Sequence, residues 1–309
     1  MDPRLPGVLR SMHRTACLLL HMLLCCVWSG VQAQSVDVDA MQRLYESMRP
    51  RLAQSAFHRP LVLDSSEEQG RASGDIYAVL DVSLASLELV NRDPVRWCEI
   101  LLLISNTKNC AVGTAEGASA LLVRMGTKGP QALDGTTPMD FRFASSAAKA
   151  PVLETLLNSS DGPMGTKDGA LCLRAIALGP QKSFVHLHYG YRSSLAGRLA
   201  TQVYLQTLGR GKVGFSRVQE MAADAAPGTD SAFVGGVRGI IERNTMRYFL
   251  GLNCALRFAS TDAPAQRFAQ MAPCWFDETE RYPVQLHDLP RQDYLDMKRA
   301  EYARAAPKS

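Results

Sequence analysis

The sequence predicts an α+β fold, one antiparallel sheet packed with a long helix that comes late in the chain. Two observations carry this. Val237, Ile240, Ile241, Tyr248, Leu252, Ala255, Leu256 and Ala259 recur at steps of three and four, one broad apolar face over about six turns. Ahead of that helix, short β-branched and aromatic runs alternate with Gly/Pro/Asp turns, the pattern of strands and hairpins. The same helix carries Arg238, Glu242, Arg243, Asn244 and Arg247. Arg243 and Arg247 are four apart and share one side. Stacked cations on an apolar helix suggest a lid over a cavity.

The elements follow in order. Residues 37–48 read as a helix with Met41, Leu44, Tyr45 and Met48 on one face, disturbed at Pro50. Leu61-Val-Leu63 is a short strand, 65–73 a polar turn and 74–81 a better strand. Ser83 is placed to cap a helix of Leu84, Leu87 and Val90, which Asn91-Arg-Asp-Pro94 ends. Residues 97–105 are apolar and fit helix or strand. Residues 118–125 and 139–143 read as strands, and 158–169 as a long loop. A hairpin turns at Gly179-Pro180 between 171–178 and 183–191. Residues 194–208 are helical (Leu195, Leu199, Val203, Leu208), 212–218 a strand and 221–231 a loop. After the long helix, 264–280 and 291–304 read as two helices packed outside, and the tail beyond Ala300 is expected to be disordered.

The N-terminus reads as an export signal. Arg4, Arg10 and Arg14 form a basic region, Cys17 to Val27 an apolar one, and Ser29-Gly-Val-Gln-Ala33 a cleavage site. The apolar run falls short of the roughly 20 residues of a membrane span. Met12 would serve equally as the start. Domain organisation is then residues 1–33 as signal peptide, 34–260 as the α+β domain and 261–309 as a helical extension. The whole chain carries a formal +4; the signal holds three arginines against Asp2, so the remainder is near neutral at +2. That argues against a nucleic-acid surface. No later stretch reaches transmembrane length uncharged, so a soluble periplasmic or secreted protein is expected.

Five cysteines follow Ala33: Cys98, Cys110, Cys172, Cys254 and Cys274. Export implies pairing. Cys98 and Cys110 flank an apolar run with a turn and are the expected disulfide. Cys172 in a strand and Cys254 in the apolar helix read as buried free thiols. No Cys-x-x-Cys occurs.

Other motifs weigh towards bland readings. His186-Leu-His188 puts two imidazoles on one strand face, but no third metal ligand is near in sequence, so no metal is expected. Gly209-Arg-Gly-Lys212 follows a helix instead of opening one, and reads as a C-cap and turn. Asp277, Glu278 and Glu280 read as a solvated face. Arg238 and Glu242 are spaced to compensate one another. Arg243 and Arg247 need an anion between them, either an acidic side chain of the fold or a ligand carboxylate. No Gly-x-Ser-x-Gly or His-Glu-x-x-His occurs, so no catalytic residue and no cofactor are expected. Asn158-Ser-Ser160 is a glycosylation acceptor in a eukaryotic secretory host only.

Residues 74–97 (GDIYAVLDVSLASLELVNRDPVRW) run from a strand into a short helix, a broken turn and a tryptophan. This resembles the opening of START-like lipid-binding domains, and helix 236–259 resembles their gripping C-terminal helix. The likeness spans roughly 40–260. It implies a helix-grip fold and a hydrophobic or amphipathic small-molecule partner such as a lipid. Helix 194–208, the two tail helices and the signal peptide depart from the pattern. In such a fold the space between helix and sheet is filled by side chains or a ligand. Tyr189, Tyr191 and Phe215 would lie on the sheet side, and Tyr248, Phe249 and Leu252 on the helix wall. Arg243 or Arg247, with Asn244, would meet an acidic head. The expected function is a non-catalytic carrier or sensor of a hydrophobic molecule in the cell envelope. The alternatives are an envelope enzyme using the same cavity, marked by converging acid–base groups, or a partner-binding protein, marked by a filled core and an apolar patch near Trp275 and Phe276.

Overall fold

A computed structural model describes residues 38–207, 209–218 and 232–305. The expected signal peptide and the 221–231 loop lie outside the described residues. Eight antiparallel strands form one sheet: β1 (Leu61–Glu68), β2 (Arg71–Leu80), β3 (Thr107–Ala115), β4 (Ala118–Met125), β5 (Thr137–Ser145), β6 (Leu153–Asp161), β7 (Thr166–Gly179) and β8 (Lys182–Ser193). Their order is β1-β2-β8-β7-β6-β5-β4-β3. The chain makes a hairpin, crosses the sheet through α2 (Leu84–Asn91) and α3 (Pro94–Leu103), and returns as a meander that closes on β2. Side chains of Ser83 and Asp93 accept the Ser86 and Val95 amides and start these two helices, with Pro94 in the first turn.

The long helix α5 (Gly236–Arg257) lies on one face of the sheet. On β2 the alternate positions Ala72, Gly74, Ile76 and Ala78 are buried. Gly74 is needed: a Cβ there would overlap Thr245 Oγ1 of α5. The opposite face is covered by α1 (Val38–Ala53), whose Met41 and Leu52 join Val62, Val152, Ile176 and Phe184. The fold is thus the expected α+β sheet packed on a long late helix.

Several local expectations need correction. The 65–73 turn is two residues, Gln69-Gly70, both with positive φ (48° and 81°), between full-length strands. Their polar sequence reflects an exposed hairpin end, not a loop. Likewise 158–169 is the tip of the β6–β7 hairpin, paired from Asp161↔Lys167 inward. Residues 97–105 resolve as helix α3 followed by the short connection into β3. Residues 212–218 form no strand, only the bridge Arg217↔Phe233. Carboxylate Glu242 instead accepts the Phe215 and Ser216 amides (2.6 and 2.9 Å).

The C-terminal helices belong to the core. Helix α4 (Leu195–Gln206) precedes α5; α6 (Pro264–Thr279), α7 (Pro283–Leu286) and α8 (Arg291–Ala305) follow it. Trp275 stacks on Tyr294 with centroids 5.2 Å apart, both fully buried. Tyr294 donates to the Leu103 carbonyl at 2.8 Å. The chain beyond Ala300 is ordered: α8 runs to Ala305 because Glu301 is buried between Lys108 (3.0 Å) and Lys298 (2.7 Å). Cys98–Cys110 is bonded as expected. Cys254 is not a free thiol; it pairs with Cys274. Cys172 is free and buried, and burial pushes its thiol up to about 11. Two disulfides fit an oxidising compartment. Among the described residues no helix is long and apolar enough to cross a membrane.

Candidate functional site

The polar stripe of α5 is drawn inward. Arg243 and Arg247 are both buried. One nitrogen of Arg247, Nη2, donates to both oxygens of Asp288 at 3.1 Å. A second, Nη1, reaches Asn244 Oδ1 at 3.4 Å, while Nε is buried with no hydrogen-bond partner. The Arg247 carbonyl accepts the Trp275 indole N–H at 3.2 Å, so α6 fixes this turn. Arg243 Nη1 donates to the Val213 carbonyl at 3.1 Å, and the guanidinium faces the Tyr204 hydroxyl of α4. Lys128 is paired to Asp288, and Lys212 donates to the neighbouring His287 carbonyl at 3.1 Å.

Three cations therefore crowd one carboxylate. Burial pushes Asp288 up, yet Arg247, Lys128 and Lys212 hold it below the usual carboxylate range. Burial, then the Arg247 charge, lowers Lys128 to about 8; the same two causes lower Arg243 to about 10. The anion expected between the α5 arginines is, for Arg247, a side chain of the fold. Asp288 sits in the turn after α7, too far along the chain for helix spacing to find it.

Aromatic rings stand beside this cluster. Tyr189 meets Tyr248 at 5.0 Å and Tyr191 at 6.0 Å between centroids. Its hydroxyl faces Asn244, and burial raises it well above the ordinary range; Tyr248 is raised to about 12 for the same reason. Thus Tyr189, Tyr191, Arg243, Asn244, Arg247 and Tyr248 come together. Phe215 does not join them. It packs on Phe57 (5.7 Å) and Tyr282 (5.4 Å), below Glu242. Phe249 and Leu252 are buried core. Arg238 and Glu242 meet through Ser65, whose hydroxyl donates to Glu242 at 2.6 Å and accepts from Arg238 at 3.2 Å.

Other polar groups resolve as follows. His186 and His188 do share a face, the one turned from α5, where both reach Asp75 Oδ1 (2.7 and 2.9 Å) and His186 stacks on Tyr77. Burial works against the Asp75 carboxylate, but the two imidazoles hold it well below the usual range. Among the described residues no group of three or more His, Cys, Asp or Glu is placed to hold a metal. Glu278 is not a solvated residue: it is buried among Arg59 (3.4 Å), Arg257 (3.5 Å) and Arg281 (3.2 Å). It borders an open cavity of about 420 Å3, walled by Pro60, Val79, Leu80, Val82 and Leu256. Arg59 lines this cavity with Nε and Nη2 buried and unpartnered. No signal in the sequence marks Arg59, which stands in a turn rich in bends.

No family model matches the chain, and no curated protein does. Some solved structures are similar. A protein from Thermus thermophilus matches at 12% identity and TM-score 0.37, over 61% of this chain and 99% of that one. A STAR-related lipid transfer protein from Xanthomonas axonopodis matches at 10% and 0.32, over 48% and 86%. Norcoclaurine synthase from Thalictrum flavum, in complex with dopamine and hydroxybenzaldehyde, matches at 10% and 0.31, over 48% and 82%. Likeness at this level carries no argument about function, which rests on the chain's own geometry.

Proposed function

We propose that this protein is an exported, non-catalytic binding module, a carrier or sensor of an amphipathic small molecule with an acidic head. Residues 1–33 are its signal peptide, 34–260 its START-like domain and 261–309 a helical extension packed on that domain. The observation that supports the reading is the excess of positive charge at α5. Arg247 and Lys128 share the carboxylate of Asp288, the neighbouring Arg243 has among the described residues only the Val213 carbonyl and the Tyr204 hydroxyl as partners, and Arg247 Nε has no partner. A buried guanidinium donor left unpaired costs about 1–3 kcal/mol, which a ligand carboxylate or phosphate would recover. Tyr189, Tyr191 and Tyr248 supply the adjoining apolar wall. Native mass spectrometry with lipid extraction of the purified protein tests this. An acidic-headed molecule should co-purify, and Arg247→Ala should weaken its binding at least tenfold, the worth of a charged hydrogen bond of about 1.5–3 kcal/mol. Unchanged co-purification, or simple unfolding of Arg247→Ala, makes the arginine structural.

A second placement of the same ligand is favoured by the cavity beside Arg59, which has the volume and apolar walls that the helix–sheet interface lacks at Gly74. Arg59→Met separates the two: it abolishes binding here and leaves it intact at Arg247. Sequencing of the mature N-terminus by mass spectrometry tests cleavage after Ala33. A retained hydrophobic segment in the membrane fraction removes the export claim.

A further inference from the structure

Helix α4 carries an apolar stripe that the fold leaves open. Leu195, Leu199 and Val203 recur every four residues and are 74%, 64% and 61% exposed. The other side of the helix is the packed one. Thr201 is buried, and Gly197 sits so close to the 163–165 turn that a Cβ would stand 2.8 Å from the Met164 and Gly165 carbonyl oxygens. That turn presents Met164, itself 43% exposed, at the start of the stripe. The chain around α4 is predominantly basic. Residues 169–219 contain no Asp or Glu, and the part of this run at α4 holds Arg192, Arg198, Arg210 and Lys212. Arg198 within α4 and Arg210 just beyond it are exposed. Of the nearby acids, Asp168 pairs with Arg192 and Asp161 with Lys167, while the exposed Glu67 lines a small pocket with Arg198.

We infer that α4 is a peripheral membrane-docking element that lies flat on an anionic phospholipid surface. An amphipathic helix settles at the headgroup boundary with its apolar side down, and flanking cations add to the affinity. Three aliphatic side chains bind weakly alone, so the cations make the surface selective for anionic lipid and sensitive to salt. Charge complementarity decides the occupant: the exposed Arg198 and Arg210, on a run of chain without acids, fit a phosphate-rich plane and not a near-neutral second copy of this chain. The inference does not rest on the ligand reading, since none of its residues touches the α5 cluster through the exposed stripe.

Co-sedimentation of the processed chain with phosphatidylcholine vesicles, with and without phosphatidylglycerol, tests it. Binding should appear with phosphatidylglycerol, fall on its removal and fall again at high ionic strength. The double variant Leu195→Asn/Leu199→Asn should lose roughly tenfold or more in partitioning with an unchanged melting temperature. Arg198→Glu with Arg210→Glu should do the same. Three results overturn the proposal: no vesicle binding, undiminished binding by the Asn variant, or a wild-type oligomer that the Asn variant dissociates. The last would make the stripe a contact between copies. If residues 219–231 cover it instead, vesicle binding is absent and the Asn variant melts lower.

Discussion

Cys254 of α5 is disulfide-bonded to Cys274 of α6, with Cα atoms 5.9 Å apart. The bond closes a loop of 20 residues; Cys274 is next to Trp275, which donates to the Arg247 carbonyl about two turns before Cys254. The helix bearing the candidate site is therefore tied covalently and by hydrogen bond to the C-terminal helices. Replacing both cysteines, Cys254→Ala with Cys274→Ala, should lower stability by about 3 kcal/mol on the loop-entropy argument. Urea unfolding of the two oxidised proteins measures it. An unchanged midpoint would show that the α5–α6 packing alone sets the junction.

Glu99 of α3 and Arg267 of α6 form a buried two-point pair at 2.7 and 2.8 Å. Glu99→Ala strands the guanidinium and should cost about 3–5 kcal/mol. The double change Glu99→Leu with Arg267→Met removes both charges and should recover most of that loss. If the double variant is as unstable as the single one, the pair contributes through something other than charge burial.

Legibility from sequence follows chain distance. The periodic face of α5, the Ser83 cap, the Gly179-Pro180 turn and the Cys98–Cys110 bond are local, and each is readable. Hairpin ends at Gln69-Gly70 and 162–165 mislead because strands that leave the core become polar there. The polar side of α5 is readable as a stripe, but its partners are not. Asp288 and Lys128 reach Arg247 from across the chain. Lys108 and Lys298 similarly enclose Glu301 where a disordered tail is expected, because a charged helix reads as solvated until its partners are known.

Gly74 lies under Thr245, where a side chain would overlap Oγ1 and stand 3.2 Å from Cβ. Gly74→Ala should destabilise by about 1–3 kcal/mol through overpacking. Combining it with Thr245→Ala should recover part of the loss, a coupling that a double-mutant cycle reads directly. Strict additivity would mean that α5 is free to lift from β2.

Lys298 is fully buried, and burial lowers it to about 7 despite Glu301; Lys108 and Arg304 push the same way as burial. In the unfolded chain a lysine keeps its proton to about 10.4. Between about pH 7 and that value the unfolded state binds more protons, so stability rises with pH; below 7 the penalty is fully present. From pH 7 to 9 the gain should be roughly 1–3 kcal/mol. The scan stops there because Cys172, raised to about 11, acts in the opposite sense once unfolded thiols ionise. Lys298→Met should flatten the slope in chemical denaturation. A slope kept intact assigns it to other groups, Lys128 first.

Asp288 is the carboxylate shared by Arg247 and Lys128. Asp288→Asn leaves both cations near their present places without it. At low ionic strength the variant should lose about 3–5 kcal/mol, the usual result of orphaning a buried charge. An added anion should then substitute for the carboxylate. Sulfate should raise the variant's melting temperature well beyond what chloride does at matched ionic strength, and do so less for the wild type. Arg243, which donates to the Val213 carbonyl and faces Tyr204, stays in place as a second cation for that anion. Equal effects of the two salts on the variant would mean that the pocket around Arg247 does not admit an anion from solution, and the binding site would have to lie at the Arg59 cavity.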